Sequence, residues 1–414
     1  MNPHIPADLA ADTERIVSFV PMEAVGEDGR LSLENSKTVG EAKAGYSYFA
    51  DGDLLMAKVT PCFENGKSAI ARGLQDGHGF GTTELTVLRP RPALASPRYL
   101  HYFVQTDSFR QEGAASMLGA GGLKRIPDGF IRDFKCSWPP LREQERIADF
   151  LDEKTARIDA LIAEKRLLAE RLSESFASQL LALISGHSQG GSTQLIPGDR
   201  DADLPAGWKF PQLARLTTKL TNGYVGPTRD ILTTEGVRYL QSLHIKSGAI
   251  DFTRGEYYVS EDWSRAHSKS ILQAGDILIV QTGDIGQTAV VPQEFVGCNC
   301  HALIIARPKV GAVDPRYLEL VLRSSYGRAC FIMYSTGALH PHLNCSNIRD
   351  IHIPLPPLGK QLEIVRTASI CEQHHLALLN HVRNHTCRLE EYRSALISSA
   401  VTGQMSIDER RVLQ

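Results

Sequence analysis

Between Pro139 and Gly186 the seam of the chain recurs at alternating steps of four and three: Ile147, Leu151, Lys154, Ile158, Leu161, Lys165, Leu168 and Leu172. The same steps return at Ile364, Ala368, Cys371, His375, Leu378, Val382, His385 and Leu389, and Leu396 continues them. A repeat of this period held over several turns suits a coiled coil better than a helix lying on a globular core. Both stretches open Pro-Pro-Leu-x-x-Gln, at Pro139 and at Pro356, and both close on glycine, at Gly186 and Gly403. A proline pair in front and a glycine behind are helix start and stop signals. Openings and closings are each 217 positions apart, so the two helices have one length. At about 1.5 Å per residue each would run roughly 65–70 Å. Equal length and shared register predict that they pair with each other, antiparallel. At the polar seam positions, Lys154 and Lys165 are expected to run their stems along the seam and their ammonium groups to water. For His375 and His385 a register-setting role and a merely tolerated one both remain open.

The rest of the chain alternates shorter patterns. In residues 1–138, Arg15–Pro21 and Gly29–Leu33 predict short strands, and Gly52–Val59 a buried strand running into the loop Thr60–Lys67. Thr83–Leu88 predicts another strand, Ser96 to about Gln111 a helix with proline in its first turn, 119–125 a glycine-rich loop, then a strand into Trp138. Residues 187–203 form a linker that starts rich in Gly, Ser and Gln. Residues 204–355 repeat the order of the first unit. Gly275–Val280 matches the strand at Gly52. Ala306-Arg307-Pro308 matches Leu88-Arg89-Pro90, and Asp314–Leu318 matches Ser96–Leu100, both at an offset of 218. The second long helix, 356–403, and a tail, 404–414, complete the chain. The expected fold is α+β: two similar globular domains separated by two long antiparallel coiled-coil helices (139–186 and 356–403), a pseudo-twofold tandem repeat. Two similar heads at a fixed separation suit two similar targets at a fixed separation, of which DNA half-sites are the commonest.

Composition narrows this only a little. The 414 residues carry a formal net charge of −2, so any basic surface must be local. Eight cysteines without regular spacing are most simply free thiols in a reducing cytoplasm. Met1–Asp12 lacks an apolar core, and no apolar run reaches membrane length. A soluble cytoplasmic protein with no membrane partner is expected.

Catalytic patterns fail one by one. Glu64-Asn65-Gly66-Lys67-Ser68 ends like a phosphate loop, but Pro61 stands where its first glycine is required. Asp128 and Asp133 are too close in sequence for the hairpin that would bring both to one metal. Cys298, Cys300, His301, His340, His342 and Cys345 lack paired Cys-x-x-Cys spacing, which favours a buried strand with free thiols over zinc. Both Pro-Pro pairs precede Leu rather than the aromatic residue that would hold an adenine amine. Glycines 119–122 do not join a strand to a helix as a dinucleotide site must. No catalytic residue and no metal site is expected.

The Pro-Pro-Leu-x-x-Gln openings, the segment Gly52-Asp53-Leu54-Leu55-Met56-Ala57-Lys58-Val59-Thr60-Pro61-Cys62-Phe63-Glu64-Asn65-Gly66-Lys67, Leu204-Pro205-Ala206-Gly207-Trp208 and the closing Ala400-Val401-Thr402-Gly403 resemble the specificity subunit of type I restriction–modification enzymes. The resemblance covers nearly the whole chain. It implies that the globular units are target-recognition domains, each reading half of a split sequence in double-stranded DNA. It implies that the helices are a spacer docking methyltransferase subunits, two of them, and through these the restriction/translocase subunits. No cofactor would be bound by this chain; S-adenosylmethionine, ATP and Mg would serve the partners.

Phosphates are contacted by Lys, Arg, Ser, Thr and backbone N–H, and bases are read by Arg, Lys, Asn and Gln. On that chemistry the candidates in the first unit are Lys58, Thr60, Asn65 and Lys67 on one loop, with Lys124 and Arg125 after the glycines. In the second unit they are Asn222, Tyr224, Thr228 and Arg229, then Gln281, Thr282 and Gln287, then His340, His342 and Asn344. The alternatives are a coiled-coil protein scaffold that never touches DNA, and an uncatalogued nuclease or methyltransferase active on its own.

Overall fold

In a computed structural model the chain is described at residues 1–120, 122–186, 195–337 and 342–407. It divides into two mixed α+β units, residues 1–167 with 382–414, and residues 168–381. The division falls inside both long helices, not at their ends.

In the first unit, α1 (Ala7–Ala11), β1 (Ile16–Val20), β2 (Asn35–Thr38), α2 (Val39–Ala42), β3 (Ser47–Ala50), β4 (Leu54–Ala57), β5 (Ser68–Ile70), β6 (His78–Gly81) and β7 (Leu85–Leu88) come first. Then α3 (Pro97–Val104), α4 (Asp107–Ser116), β8 (Leu118–Ala120), β9 (Leu123–Arg125) and α5 (Asp128–Asp133) lead into α6 (Leu141–Ser185). Strand order is β2-β1-β6-β3 in one sheet and β5-β4-β7 in another, with only β1 and β6 parallel among these pairs. β4 is buried on both faces. Successive strand side chains point to opposite sides, so Leu55 and Ala57 join Val20, Phe49 and Val87 while Leu54 and Met56 join Phe63, Val104 and Phe109.

Three details differ from the sequence expectation. Gly29–Leu33 forms no strand beyond an isolated bridge, Val25 to Leu31. Residues 96–111 form two helices, because Thr106 Oγ1 donates to the Phe103 carbonyl (2.8 Å) and the Asp107 N–H donates to Ser398 Oγ (3.0 Å), which starts a new helix. The approach to Trp138 is α5 and an extended segment rather than a strand.

The second unit repeats the double-sided strand. It contains α7 (Leu213–Leu216), β10 (Thr217–Asn222), β11 (Leu232–Thr233), β12 (Val237–Leu240), β13 (Ile245–Lys246), β14 (Ala249–Ile250), β15 (Tyr258–Val259), α8 (Glu261–Ala266), β16 (Ile277–Val280), β17 (Thr288–Val290), β18 (Asn299–Cys300) and β19 (Leu303–Pro308). α9 (Pro315–Arg323), α10 (Ser325–Tyr334), α11 (Cys345–Ile348) and α12 (Leu358–Val401) follow. Sheets β10-β19-β16-β17 and β11-β15-β12-β18 and the hairpin β13-β14 form its β portion. Ile277 and Ile279 of β16 enter one core, Leu278 and Val280 another.

Inside the first unit, Ile147, Leu151, Ile158 and Ile162 of α6 share a core with Leu396, Ile397, Ala400 and Val401 of α12. Ion pairs Asp159–Arg393 and Arg166–Glu390, both 2.9 Å, fix an antiparallel sense, since one number rises as the other falls. Inside the second unit Leu180 and Ile184 share a core with Ile364 and Ala368, and Phe176 stacks on His375 at 4.7 Å. His375 thus occupies the seam through its ring face.

The buried stripe departs from the expected heptad by one residue. Ile147, Leu151, Ile158, Ile364, Val382 and Leu396 are buried and Leu172 and Leu389 half-buried, but Leu161, Leu168 and Leu378 are 44, 40 and 51 % exposed. Thr155 and Ile162 are buried instead, and Leu379 is half-buried where Leu378 was expected. A straight helix of 3.6 residues per turn drifts against a 3.5 repeat, and Thr155 sets the slip. Its hydroxyl donates to the Leu151 carbonyl (2.7 Å) and meets Tyr102 Oη (3.1 Å), while Lys154 turns over the Phe150 ring. Among the described residues no helix is long and apolar enough to cross a membrane.

Candidate nucleic-acid interface

Each unit fixes its central strand and its long helix with the same pair of polar anchors. Asp53, just before β4, accepts from the Ala50 N–H (2.8 Å) and takes a two-pronged grip from Arg89 (2.7 and 2.6 Å). Asp276, just before β16, accepts from the Gln273 N–H (2.8 Å) and is gripped by Arg307 at 2.7 Å twice. Both carboxylates are buried, and planar guanidinium pairing satisfies both their oxygens. The glutamine of the Pro-Pro-Leu-x-x-Gln motif is the second anchor. Gln144 accepts from the Ser96 N–H (2.9 Å) and donates to the Leu94 and Pro139 carbonyls (2.9 and 2.8 Å). Gln361 accepts from the Asp314 N–H (2.8 Å) and donates to the Pro356 carbonyl (2.8 Å). So the start of each long helix is tied to the start of the helix that follows the Arg-Pro dipeptide. Neither role was visible in the sequence: the motif was legible, but not what its glutamine touches.

In the first unit the chain leaving β4 meets the glycine-rich segment. That segment is a hairpin, β8 with β9, not an open loop. The Thr60 N–H donates to the Lys124 carbonyl (2.9 Å) and the Ile126 N–H to the Lys58 carbonyl (2.8 Å). Thr60 Oγ1 accepts from the Lys124 N–H (2.9 Å) and donates to the Gly122 carbonyl (3.0 Å). Arg125 grips Glu84 at 2.6 and 2.8 Å, which holds the Glu84 carboxyl below its ordinary range, with Lys58 adding to the effect. Lys58, Thr60, Lys124 and Arg125 therefore form one cluster. Asn65 and Lys67 lie elsewhere, on a cleft of about 940 Å3 whose lining includes Glu27, Arg110 and Gln105. Asn65 Nδ2 donates to Glu27 there (2.9 Å).

In the second unit the candidates separate into internal and external groups. Gln281, expected at the surface, is 1 % exposed. Its amide donates to Asn222 Oδ1 (3.0 Å) and to the Leu343 carbonyl (3.1 Å), and Cys345 Sγ donates to the same Asn222 oxygen. These bonds stitch Gln281 to β10 and to the segment before α11, and although its Oε1 has no hydrogen-bond partner it is enclosed, so burial keeps Gln281 from a base. Gln287 is also engaged, accepting from the Ser247 N–H (3.0 Å) and donating to Asp284 (3.1 Å). Thr282 and Arg229 are exposed, and Thr228, His342 and Asn344 half-exposed. His342 pairs through its backbone with Thr336. His340 lies outside the described residues.

Tyr224 belongs to an aromatic group that sequence reading missed. Its ring stands edge-on to Trp263 (5.0 Å) and His267 (5.1 Å), which stack on each other at 4.0 Å, and Tyr239 and His301 complete the group. The members come from four separated segments, so no local pattern announces them. Burial pushes the His301 imidazole below its ordinary pKa. Gly223 makes the arrangement possible, since a Cβ there would come within 2.5 Å of the Cys300 carbonyl. Among the described residues no three His, Cys, Asp or Glu side chains are placed to hold a metal ion.

The geometry can be set beside known proteins. A family described as "Type I restriction modification DNA specificity domain" matches residues 227–385. The type I restriction enzyme EcoEI specificity subunit of Escherichia coli is 25 % identical over 90 % of this chain and 76 % of its own length. The EcoAI specificity subunit of the same species is 42 % identical over 149 residues, 36 % of this chain and 25 % of that one. Among solved structures, a chain of a type I R-M system superposes with a TM-score of 0.76 over 96 % of this chain and 94 % of its own, at 18 % identity. The HsdS subunit from Thermoanaerobacter tengcongensis gives 0.52 over 97 and 95 %, also at 18 % identity. At these identities the superpositions establish the fold. The chain resembles type I restriction–modification specificity subunits in sequence and in architecture.

Proposed function

We propose that this chain, on the strength of that resemblance, is the non-catalytic DNA-recognition subunit of a type I restriction–modification complex. Residues 1–138 and 204–355 serve as two target-recognition domains, and helices 139–186 and 356–403 as the spacer between them. Each domain reads one half of a split target in double-stranded DNA, and the arrangement is a pseudo-twofold repeat. The observation that carries this reading is the duplicated anchoring: Asp53–Arg89 with Gln144 in one unit, Asp276–Arg307 with Gln361 in the other. Two domains built and tied down alike, with different polar loops beside the same strand, are what reading two different half-sites requires. The relatives' names, which call them specificity subunits of restriction enzymes, support the same conclusion.

Methyltransferase subunits, two per chain, dock on the helices, and restriction/translocase subunits join through them. Exposed apolar side chains on the helices support a protein partner: Leu161 and Leu167 in the first unit, Ile370, Leu376 and Leu378 in the second. S-adenosylmethionine, ATP and Mg belong to those partners, which act beside DNA in the cytoplasm. The test is equilibrium binding of the chain, assembled with its methyltransferase, to duplex DNA across salt concentrations. Phosphate contacts release counterions, so affinity should fall on the order of 10^3-fold between 50 and 200 mM salt. A complex that assembles but shows no salt-dependent DNA affinity is a scaffold, and the reading fails.

A further inference from the structure

The hairpin β8–β9 stands out because all six of its strand residues are exposed while its feet are not. Met117 and Ile126 on either side are buried, and Leu118 and Leu123 on the ribbon are 69 and 49 % exposed. The pairing register is Leu118 with Arg125, Gly119 with Lys124, and Ala120 with Leu123. Directly paired residues share a face of an antiparallel ribbon, and alternate positions along a strand return to it. Leu118, Ala120 and Leu123 therefore form one aliphatic face, with Arg125 at its base, and Lys124 projects from the other. β9 pairs on its outer edge with residues 58–60, Thr60 Oγ1 ties the ribbon from the side, and the Arg125–Glu84 grip fixes its base.

A ribbon tied down along β9 that presents an apolar face to water invites an occupant, and the surrounding charge indicates which. Lys58 and Arg125 act on the Glu84 carboxylate while Lys124 projects from the opposite face of the ribbon, so the cluster carries three cations to that one anion in a chain whose formal net charge is −2. The partner is therefore a polyanion with an apolar feature at ribbon depth. The major groove of B-DNA admits a two-stranded ribbon, and the apolar group displayed there is the thymine 5-methyl. The geometry points to a specific role: Leu118 and Leu123 read thymine methyl groups in the half-site of the first unit, and Lys124 and Lys58 hold the flanking phosphates. This rests on the DNA-recognition reading above and deepens it.

The experiment uses the chain assembled with its methyltransferase and a duplex carrying the mapped target. Each thymine in either half-site is replaced in turn by deoxyuridine, which removes only the methyl. With the natural chain, at least one replacement, confined to one half-site, should weaken binding about fourfold, as one buried methyl would. The variant Leu118→Ala with Leu123→Ala should bind the natural target more weakly and no longer distinguish thymine from deoxyuridine; Leu123→Met should retain the discrimination. Both leucines are exposed, so truncation leaves the core intact. The inference is overturned if no thymine methyl matters to the natural chain, if the double variant still discriminates, or if the half-sites contain no thymine on either strand. Loss of affinity without loss of discrimination would mean an apolar wedge instead, which also overturns it. Failure to bind the mapped duplex at all would defeat the DNA-recognition reading itself, and is told apart by that.

Discussion

Replacing Gln144 with Leu keeps the side chain's bulk and removes its amide. Three groups lose a partner. The Leu94 carbonyl keeps a second donor, Trp138 Nε1 at 3.0 Å, whereas the Ser96 N–H and the Pro139 carbonyl lose the partner that Gln144 provides. A buried polar group left unmade costs about 1–3 kcal/mol, so two such groups, one only partly enclosed, should cost roughly 2–4 kcal/mol. For a unit of this size each kcal/mol lowers the melting temperature by about 2–4 °C, giving a drop of roughly 5–15 °C. Two units preclude a single two-state melt, so the assay is hydrogen exchange resolved by segment alongside thermal unfolding. Residues 94–100 and 139–147 should lose protection first while the second unit keeps its own. Gln361→Leu should do the same around residues 314 and 356. A Gln144→Leu chain that melts within about 2 °C of the natural one, with unchanged exchange at 94–100, would refute the claim that this glutamine anchors helix to domain.

Three further outcomes are expected. His101 is held at a pKa of about 4, chiefly by burial and then by the charge of Arg393, and its Nδ1 is enclosed without a hydrogen-bond partner. The unfolded state binds that proton near pH 6.5 and the folded state only near 4, so the first unit should lose stability as pH falls from 6.5 to 4, by about 3 kcal/mol at most; a denaturation series in which His101→Phe does not flatten this loss would count against it. Asp276→Ala leaves Arg307 and the Gln273 N–H without their acceptor, and should cost about 2–4 kcal/mol of the second unit's stability, measured by denaturant unfolding; the estimate is discounted because Arg307 is partly exposed. Lys124→Ala should weaken DNA binding by a similar factor on all sequences and lower the salt slope by about one, as loss of one phosphate contact does.

The long helices were the most legible part of the sequence, because proline, glycine and a sustained period all agree there: expected over 139–186 and 356–403, they span Leu141–Ser185 and Leu358–Val401. Their seam was read correctly at Ile147, Leu151, Ile158, Ile364, Ala368, Val382 and Leu396 but one residue out at Lys154, Leu161 and Leu378, where Thr155, Ile162 and Leu379 turn inward. The choice between Lys154 and Thr155 depends on Tyr102, which arrives from another element. The doubly buried strands β4 and β16 were visible as short apolar runs bounded by Gly-Asp. Their partners β5 and β17, and β6 in the other sheet of the first unit, were not singled out, being short or poor in β-branched residues. At the interface, residue type alone could not separate Gln281, which is buried, from Thr282, which is exposed. The hairpin at 118–125 was masked by its glycines, and the aromatic group around Tyr224 by the distance in sequence between its members.

The most direct test of the two-domain reading is adenine methylation mapping in cells that express the chain with its methyltransferase, with and without altered loops in one unit. The account expects a methylated motif split by an unspecified gap, absent without this chain, and changed in one half only when Thr282 and the 224–229 loop are replaced. A continuous motif, or a change spread across both halves, would contradict it.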